Sequence, residues 1–142
     1  MFNLNDCIGV ITNKYNKEII EAFNNRVLSH GITRVQWIAI YYIGQNEGIT
    51  QKQLSYILDS NESSIVRLVD RMEKDDMVKR EKDENDRRIT RLYLTDYGNK
   101  KREEIIPIGE KFSNDSVKNI SEKDLETFKN VLNQIVNNLK NT

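Results

Sequence analysis

The 142-residue sequence predicts a mainly α-helical fold with one small β-hairpin, on three observations. Apolar residues recur at three- and four-residue steps through most of the chain, the period of amphipathic helices. Two T-x-x-Q capping boxes, Thr33 to Gln36 and Thr50 to Gln53, open helices in quick succession. Between residues 77 and 94 the pattern switches to alternation, in two short runs joined by a charged loop. Two helices joined by a tight turn and followed by a hairpin make a winged helix-turn-helix. The remaining helices read as a dimerisation region that holds two copies of it at a fixed separation.

The first helix is expected over residues 6–29, from Ile8, Ile11, Tyr15, Ile19, Phe23 and Val27. His30 stands at its end as a partner for the helix dipole, and Gly31 ends it, since glycine takes the left-handed C′ position at little cost. Thr33 caps a second helix over 34–45, with Ile32 and Trp37 placed for a hydrophobic staple. Thr50 caps a third over 51–58, with Ile49 and Leu54 as its staple. Asp59-Ser60-Asn61 is a polar turn ending in an N-cap residue. A fourth helix over 62–75 follows, with Ile65, Leu68, Val69 and Met72 on its inner stripe.

Met77–Glu81 and Ile89–Leu94 are the expected strands, joined by the charged loop Lys82 to Arg88. Thr95-Asp96 caps a helix reaching residue 116, which Pro107 is expected to kink or divide. Ser121 opens the last helix, where Leu125, Phe128, Leu132, Ile135 and Leu139 form a narrow seam of the kind coiled coils use.

Composition excludes several function classes. The longest apolar run, Trp37 to Ile43, is far short of the ~20 residues of a spanning helix, so no membrane is expected as partner. Asn5 and Asp6 interrupt any secretory signal. One cysteine excludes an intrachain disulfide framework and fits a reducing cytoplasm. One cysteine and one histidine make no zinc site. With no glycine-rich phosphate loop, metal cluster or nucleophile–base pair, neither an enzyme nor a cofactor is expected. Lys and Arg number 22 and Asp and Glu 22, for zero net charge, whereas nucleic-acid-binding domains are ordinarily basic. Nucleic-acid binding therefore requires the basic residues to be gathered on one face.

From Asp83-x-x-Asp86-Arg87-Arg88 to Leu94-Thr95-x-x-Gly98 the chain resembles the MarR family of bacterial transcription regulators. Thr33-x-x-Gln36-Trp37 matches the start of that family's second helix. Leu54 with Asp59 to Ser64 matches its helix-turn-helix, and Arg67-Leu-Val-Asp-Arg-Met72 its recognition helix, so the order of elements covers essentially the whole chain. The resemblance implies one domain, 1–142, with residues 33–98 as the winged helix-turn-helix lobe and 1–32 with 99–142 as the dimerisation region. It implies an obligate homodimer, with Ile8, Ile11, Leu125, Phe128, Leu132, Ile135 and Leu139 at its interface, and palindromic double-stranded DNA as partner. Two positions depart from the family: Asp76 replaces a glycine between recognition helix and strand, and Glu62 is acidic at the front of that helix.

Arg88 is the candidate for a wing-tip contact in the minor groove, braced in family members by the aspartate two residues before it, here Asp86. Arg87 is a candidate phosphate contact, with a solvated loop as the plain alternative. Ser63, Ser64 and Arg67 are candidates for major-groove and phosphate contacts, Arg67 because a guanidinium pairs bidentately with guanine. Arg71 is a candidate phosphate contact, and Ser64 is otherwise a local cap group. Gln51 and Lys52 are candidate phosphate anchors or a plain solvated cap. Glu62 either accepts from a cytosine amine or favours the helix dipole.

Cys7 is either a redox-sensing thiol, as in some MarR relatives, or a small interface residue. Trp37, Tyr41 and Tyr42 are core aromatics first and an effector-pocket lining second. The expected function is a homodimeric, sequence-specific DNA-binding regulator, a repressor released by a small molecule or other effector. The alternative is a winged-helix protein–protein module that no longer binds DNA, favoured by zero net charge and by Glu62.

Overall fold

Helix caps set the order of elements in the computed structural model, which describes all residues from Met1 to Thr142. Helix α1 (Ile8–Leu28) is preceded by a 3-10 turn over Leu4–Asp6 and stops at Gly31, whose φ is +79°. Helices α2 (Arg34–Gln45) and α3 (Gln51–Ile57) each open on a complete capping box. In the first, Gln36 N donates to Thr33 Oγ1 at 3.2 Å and Thr33 N donates back to Gln36 Oε1 at 3.0 Å. In the second both distances are 3.0 Å. Helix α4 (Glu62–Lys74) is capped by Asn61, whose Oδ1 accepts from Ser64 N at 2.8 Å. No helix is long and apolar enough to cross a membrane.

Strands β2 (Val78–Lys82) and β3 (Thr90–Leu94) pair antiparallel with Arg80 opposite Leu92, each starting one residue later than the alternation predicts. A third strand, β1 (Ile49–Thr50), adds to the other edge of β3 and gives the order β1-β3-β2. Two residues are too few for alternation to register, so sequence periodicity is silent about β1. Helix α5 (Asp96–Ser116) follows, and Pro107 does not divide it. The proline removes one backbone hydrogen bond, but the flanking turns are held. Trp37 Nε1 donates to the Ile105 carbonyl at 2.8 Å, and Gly109 lies against the Trp37 ring.

Two compact units result, Met1–Glu110 and Lys111–Thr142. The core of the first gathers Val27, Ile32, Ala39, Ile40, Ile43, Leu54, Ile65, Val69, Met72, Leu92 and Ile105, all nearly or fully buried. Helix α4 turns its predicted stripe inward, with Leu68 completing it. Trp37 and Tyr41 stack with ring centres 5.7 Å apart, and Phe23 meets Trp37 edge-on, so these aromatics join the packing of α1 on α2. His30 does not merely face the dipole: its Nδ1 lies 3.2 Å from Glu104 Oε1, and its carbonyl accepts from Lys101 Nζ at 2.6 Å. The second unit holds α6 (Glu122–Lys140), capped by Ser121, and none of its residues is buried.

Asp76, between α4 and β2, has φ of +58°. An L side chain in this region costs roughly 1–2 kcal/mol, less for aspartate, and glycine adopts it freely. Asp76→Gly should therefore raise stability by about 0.5 kcal/mol, read as a higher urea midpoint with unchanged slope.

Candidate nucleic-acid interface

The fourth helix sorts its residues by face. Leu68 and Val69 turn inward while Arg67 and Arg71, one turn apart, are exposed and have no carboxylate within ion-pair distance. At its front, Ser63 Oγ donates to the capping Asn61 Oδ1 at 2.7 Å, so this hydroxyl is engaged locally. Ser64 contributes its backbone N–H to the same cap and keeps its hydroxyl exposed. Asp59, with φ of +48°, makes the turn that sets α4 against α3.

The hairpin loop is organised by two aspartates. Asp83 Oδ1 accepts from the backbone N–H of Asn85 at 2.9 Å and of Asp86 at 3.0 Å, while its Oδ2 accepts from Arg91 Nε at 2.6 Å. Arg91 also donates to the Gly48 carbonyl at 2.9 Å, tying the hairpin to the chain before β1. Asp86 grips Arg88 with both oxygens, from Nε and from the terminal nitrogen at 3.0 Å each, and accepts the Arg88 backbone N–H at 3.0 Å. The Arg88 side chain is 90% exposed, so a fixed guanidinium projects from the loop.

Hydrogen bonds from Arg91 hold the Asp83 carboxyl below the ordinary carboxylate pKa, and those from Arg88 do the same for Asp86. A lowered pKa stabilises the fold above the ordinary value and is lost as pH falls through the folded one. The loop should therefore keep its ion pairs down to the ordinary value of 3.8 and loosen only below it. Carboxyl-carbon NMR titration checks this; midpoints for Asp83 and Asp86 at or above 3.8 would show that the pairs do not hold.

Arg80, on β2, has no counterpart among the sequence-derived candidates. Its side chain is 22% exposed and donates to Gln51 Oε1 at 2.8 Å, Asp70 Oδ1 at 2.7 Å and the Val66 carbonyl at 2.9 Å. Glu73 adds a contact at 3.4 Å. A lone arginine in an alternating strand gives no local sign that its partners lie on two other helices.

Ion pairing sorts part of the charge. Arg80 is shared by Asp70 and Glu73, and Glu81, Asp83 and Asp86 pair with Lys79, Arg91 and Arg88. Lys52, Arg67, Arg71 and Arg87 stay exposed without a carboxylate partner. Gln51, Lys52, Glu62, Asp86 and Arg88 line one cleft of about 440 Å³, between the start of α3 and the hairpin. Cys7 lies outside this surface: it precedes α1 as the N-cap residue, half-buried, with Sγ 3.7 Å from the Asn3 carbonyl.

Residues 30–89, which contain α2 to α4 and most of the hairpin, match the model of the MarR family. The transcriptional regulator SarZ of Staphylococcus aureus is 29% identical over 125 residues, covering 88% of this chain and 78% of its own. Two solved structures share the fold. The S. aureus MepR–DNA complex has a TM-score of 0.85 at 21% identity, over 93% of this chain and 98% of that one. Bordetella bronchiseptica BpsR, whose DNA binding is regulated by 6-hydroxynicotinic acid, has a TM-score of 0.85 at 12% identity, over 96% and 97%. Capped helix pair, aspartate-organised wing and these likenesses agree: residues 30–89 form a MarR-family segment, and the chain as a whole is similar to MarR-type transcriptional regulators.

Proposed function

We propose that this regulator acts as a homodimer that binds a palindromic operator through α4 and the wing, and represses until an effector releases it. The observation that carries the reading is the sorting of charge. Asp70, Glu73, Asp83 and Asp86 are paired internally, while Lys52, Arg67, Arg71 and Arg87 stand free beside the projecting Arg88, against Glu62 and Glu84 as the unpaired carboxylates of α4 and the wing loop. Arg67 and the exposed hydroxyl of Ser64 are the groups for base edges, with Ser63 bound to the cap. Arg71, Arg87, Lys52 and Gln51 are the groups for phosphates, and Arg88, braced by Asp86, is the minor-groove probe.

Dimerisation is supported by apolar side chains that the single chain leaves uncovered. On α1, Ile8 is 49% exposed and Ile19 53%; on α6, Phe128 is 59% and Leu139 73%. Ile11, Leu125, Leu132 and Ile135 are half-buried. The dimerisation helices would then be residues 1–32 and 99–142, flanking the 33–98 lobe. A palindrome read in successive major grooves requires a spacing of about 34–36 Å between the two recognition helices. An effector that favours another spacing lowers the population able to bind. BpsR, regulated by a small aromatic acid, is the support for that step.

Fluorescence anisotropy against the DNA upstream of the protein's own gene, at two salt concentrations, tests the reading. Binding should be saturable, sequence-preferring and steeply weakened by salt. Arg67→Ala should cost about 1–3 kcal/mol and relax preference at one base pair. Arg71→Ala should weaken all sequences alike and reduce the salt slope by about one. Retained affinity in an Arg67→Ala, Arg88→Ala double variant would remove the assigned face. No preference over random DNA at low salt would favour the protein–protein module instead.

A further inference from the structure

We infer that Arg80 is the positioning residue of the DNA-contact surface, and that it acts by presenting the side-chain amide of Gln51 to a DNA phosphate. The inference rests on the DNA-binding reading above and adds a residue that reading does not use. Arg80 belongs to the wing strand β2, yet its guanidinium reaches the first residue of α3 and the middle of α4. A guanidinium is planar, and its donors leave at fixed angles. Gln51 Oε1, Asp70 Oδ1 and the Val66 carbonyl therefore cannot move independently while all three bonds hold. Glu73 reinforces the arrangement twice, at the guanidinium and at the Arg80 backbone N–H, 3.3 Å away. Arg80 thereby ties the wing strand directly to the recognition helix, and with it the placing of Arg88 relative to Arg67.

The consequence for Gln51 is chemical. Arg80 has only donors, so the face of the Gln51 amide turned towards it must be the carbonyl oxygen, 2.8 Å from Nε. The NH2 group is then turned away from Arg80, makes no hydrogen bond within the chain, and belongs to a residue that lines the cleft with Lys52 and Arg88. Free to rotate, a glutamine would offer either end. Held by Arg80, it offers donors, as an anionic phosphate oxygen requires.

The test is a double-mutant cycle in the intact protein, read by operator affinity, with thermal unfolding recorded for every variant. Gln51→Ala should lower operator affinity about tenfold, because it removes a hydrogen bond to a charged phosphate, and should lower the unfolding midpoint slightly, because Arg80 Nε loses its acceptor. Arg80→Lys keeps the charge but not the fork, and should lower affinity at least as much. The Arg80→Lys, Gln51→Ala double variant should bind no worse than Arg80→Lys alone, since an unheld Gln51 contributes nothing. The Gln51 side-chain amide NMR resonance should shift on adding operator to wild type and not to Arg80→Lys.

Additive losses, or a Gln51→Ala protein that binds as wild type does, would overturn the inference. The second outcome decides even if Arg80→Lys fails to fold. Wild-type protein with no sequence preference would instead overturn the DNA-binding reading, and this inference with it.

Discussion

Replacing Phe128 and Leu132 together by glutamate should convert the proposed homodimer to a monomer and lower operator affinity by about 10²–10⁴-fold. The two residues lie one turn apart on α6, a helix of 19 residues none of which is buried. Ser121 caps it, with its oxygen accepting from Asp124 N at 3.1 Å, so its start is secured locally. A seam of Leu125, Phe128, Leu132, Ile135 and Leu139 is a costly feature to leave in water. Each large apolar side chain stabilises by roughly 1.5–3 kcal/mol once covered, and a second copy offers the same seam for mutual burial. Two glutamates would place unpaired charge in that contact, which burial does not tolerate.

Helix content should be unaffected, because glutamate is a good helix former and neither replaced side chain is buried within the chain. Light scattering should then give a mass near 16.7 kDa, against twice that for wild type. The loss in affinity follows from avidity: with one recognition helix per molecule, the second half-site is no longer held at high local concentration. A variant that stays dimeric would move the interface to other residues.

Legibility in the sequence followed the range of the interactions. Both capping boxes, the Asn61 cap and the inward stripe of α4 depend on residues three or four apart, and the sequence was enough to locate them. The wing loop was visible as a charged run. That Asp83 organises it, through Arg91 and backbone N–H groups, was not, because nothing distinguishes Asp83 from its charged neighbours until the strands pair. Arg80 meets Gln51 across 29 positions, and Arg91 meets Gly48 across 43. For His30 the sequence shows only its place at a helix end, whereas its partner Glu104 comes from α5. Net charge is blind for the same reason: it counts charges but not which of them are paired with each other.

Gly98→Ala, at a buried glycine, should cost about 3 kcal/mol of stability and weaken operator binding in the fraction that stays folded. Gly98 lies in the first turn of α5, where its N–H donates to the capping Thr95 Oγ1 at 2.9 Å. A Cβ there would overlap the Met77 carbonyl oxygen and lie 2.9 Å from its carbon. The obstacle is backbone, so no rotamer change relieves it.

Met77 in turn is fixed on every side. Its N–H donates to the Met72 carbonyl at 2.9 Å, and its carbonyl accepts from Thr95 N at 3.1 Å. The neighbouring Asp76 carbonyl accepts from the Thr95 hydroxyl. Making room for a methyl group therefore displaces the junction where α4 hands over to β2 and β3 hands over to α5. That junction carries the wing. In a domain stabilised by about 5–15 kcal/mol the loss is a large fraction, and the unfolding midpoint should fall by about 10 °C. Gly9, where an added Cβ meets nothing within 4 Å, supplies the control. Gly9→Ala should leave the midpoint unchanged or raise it, since alanine is the better helix former. If Gly98→Ala unfolds with wild type and binds operator equally well, the junction yields more readily than its hydrogen bonds imply, and wing placement does not depend on it.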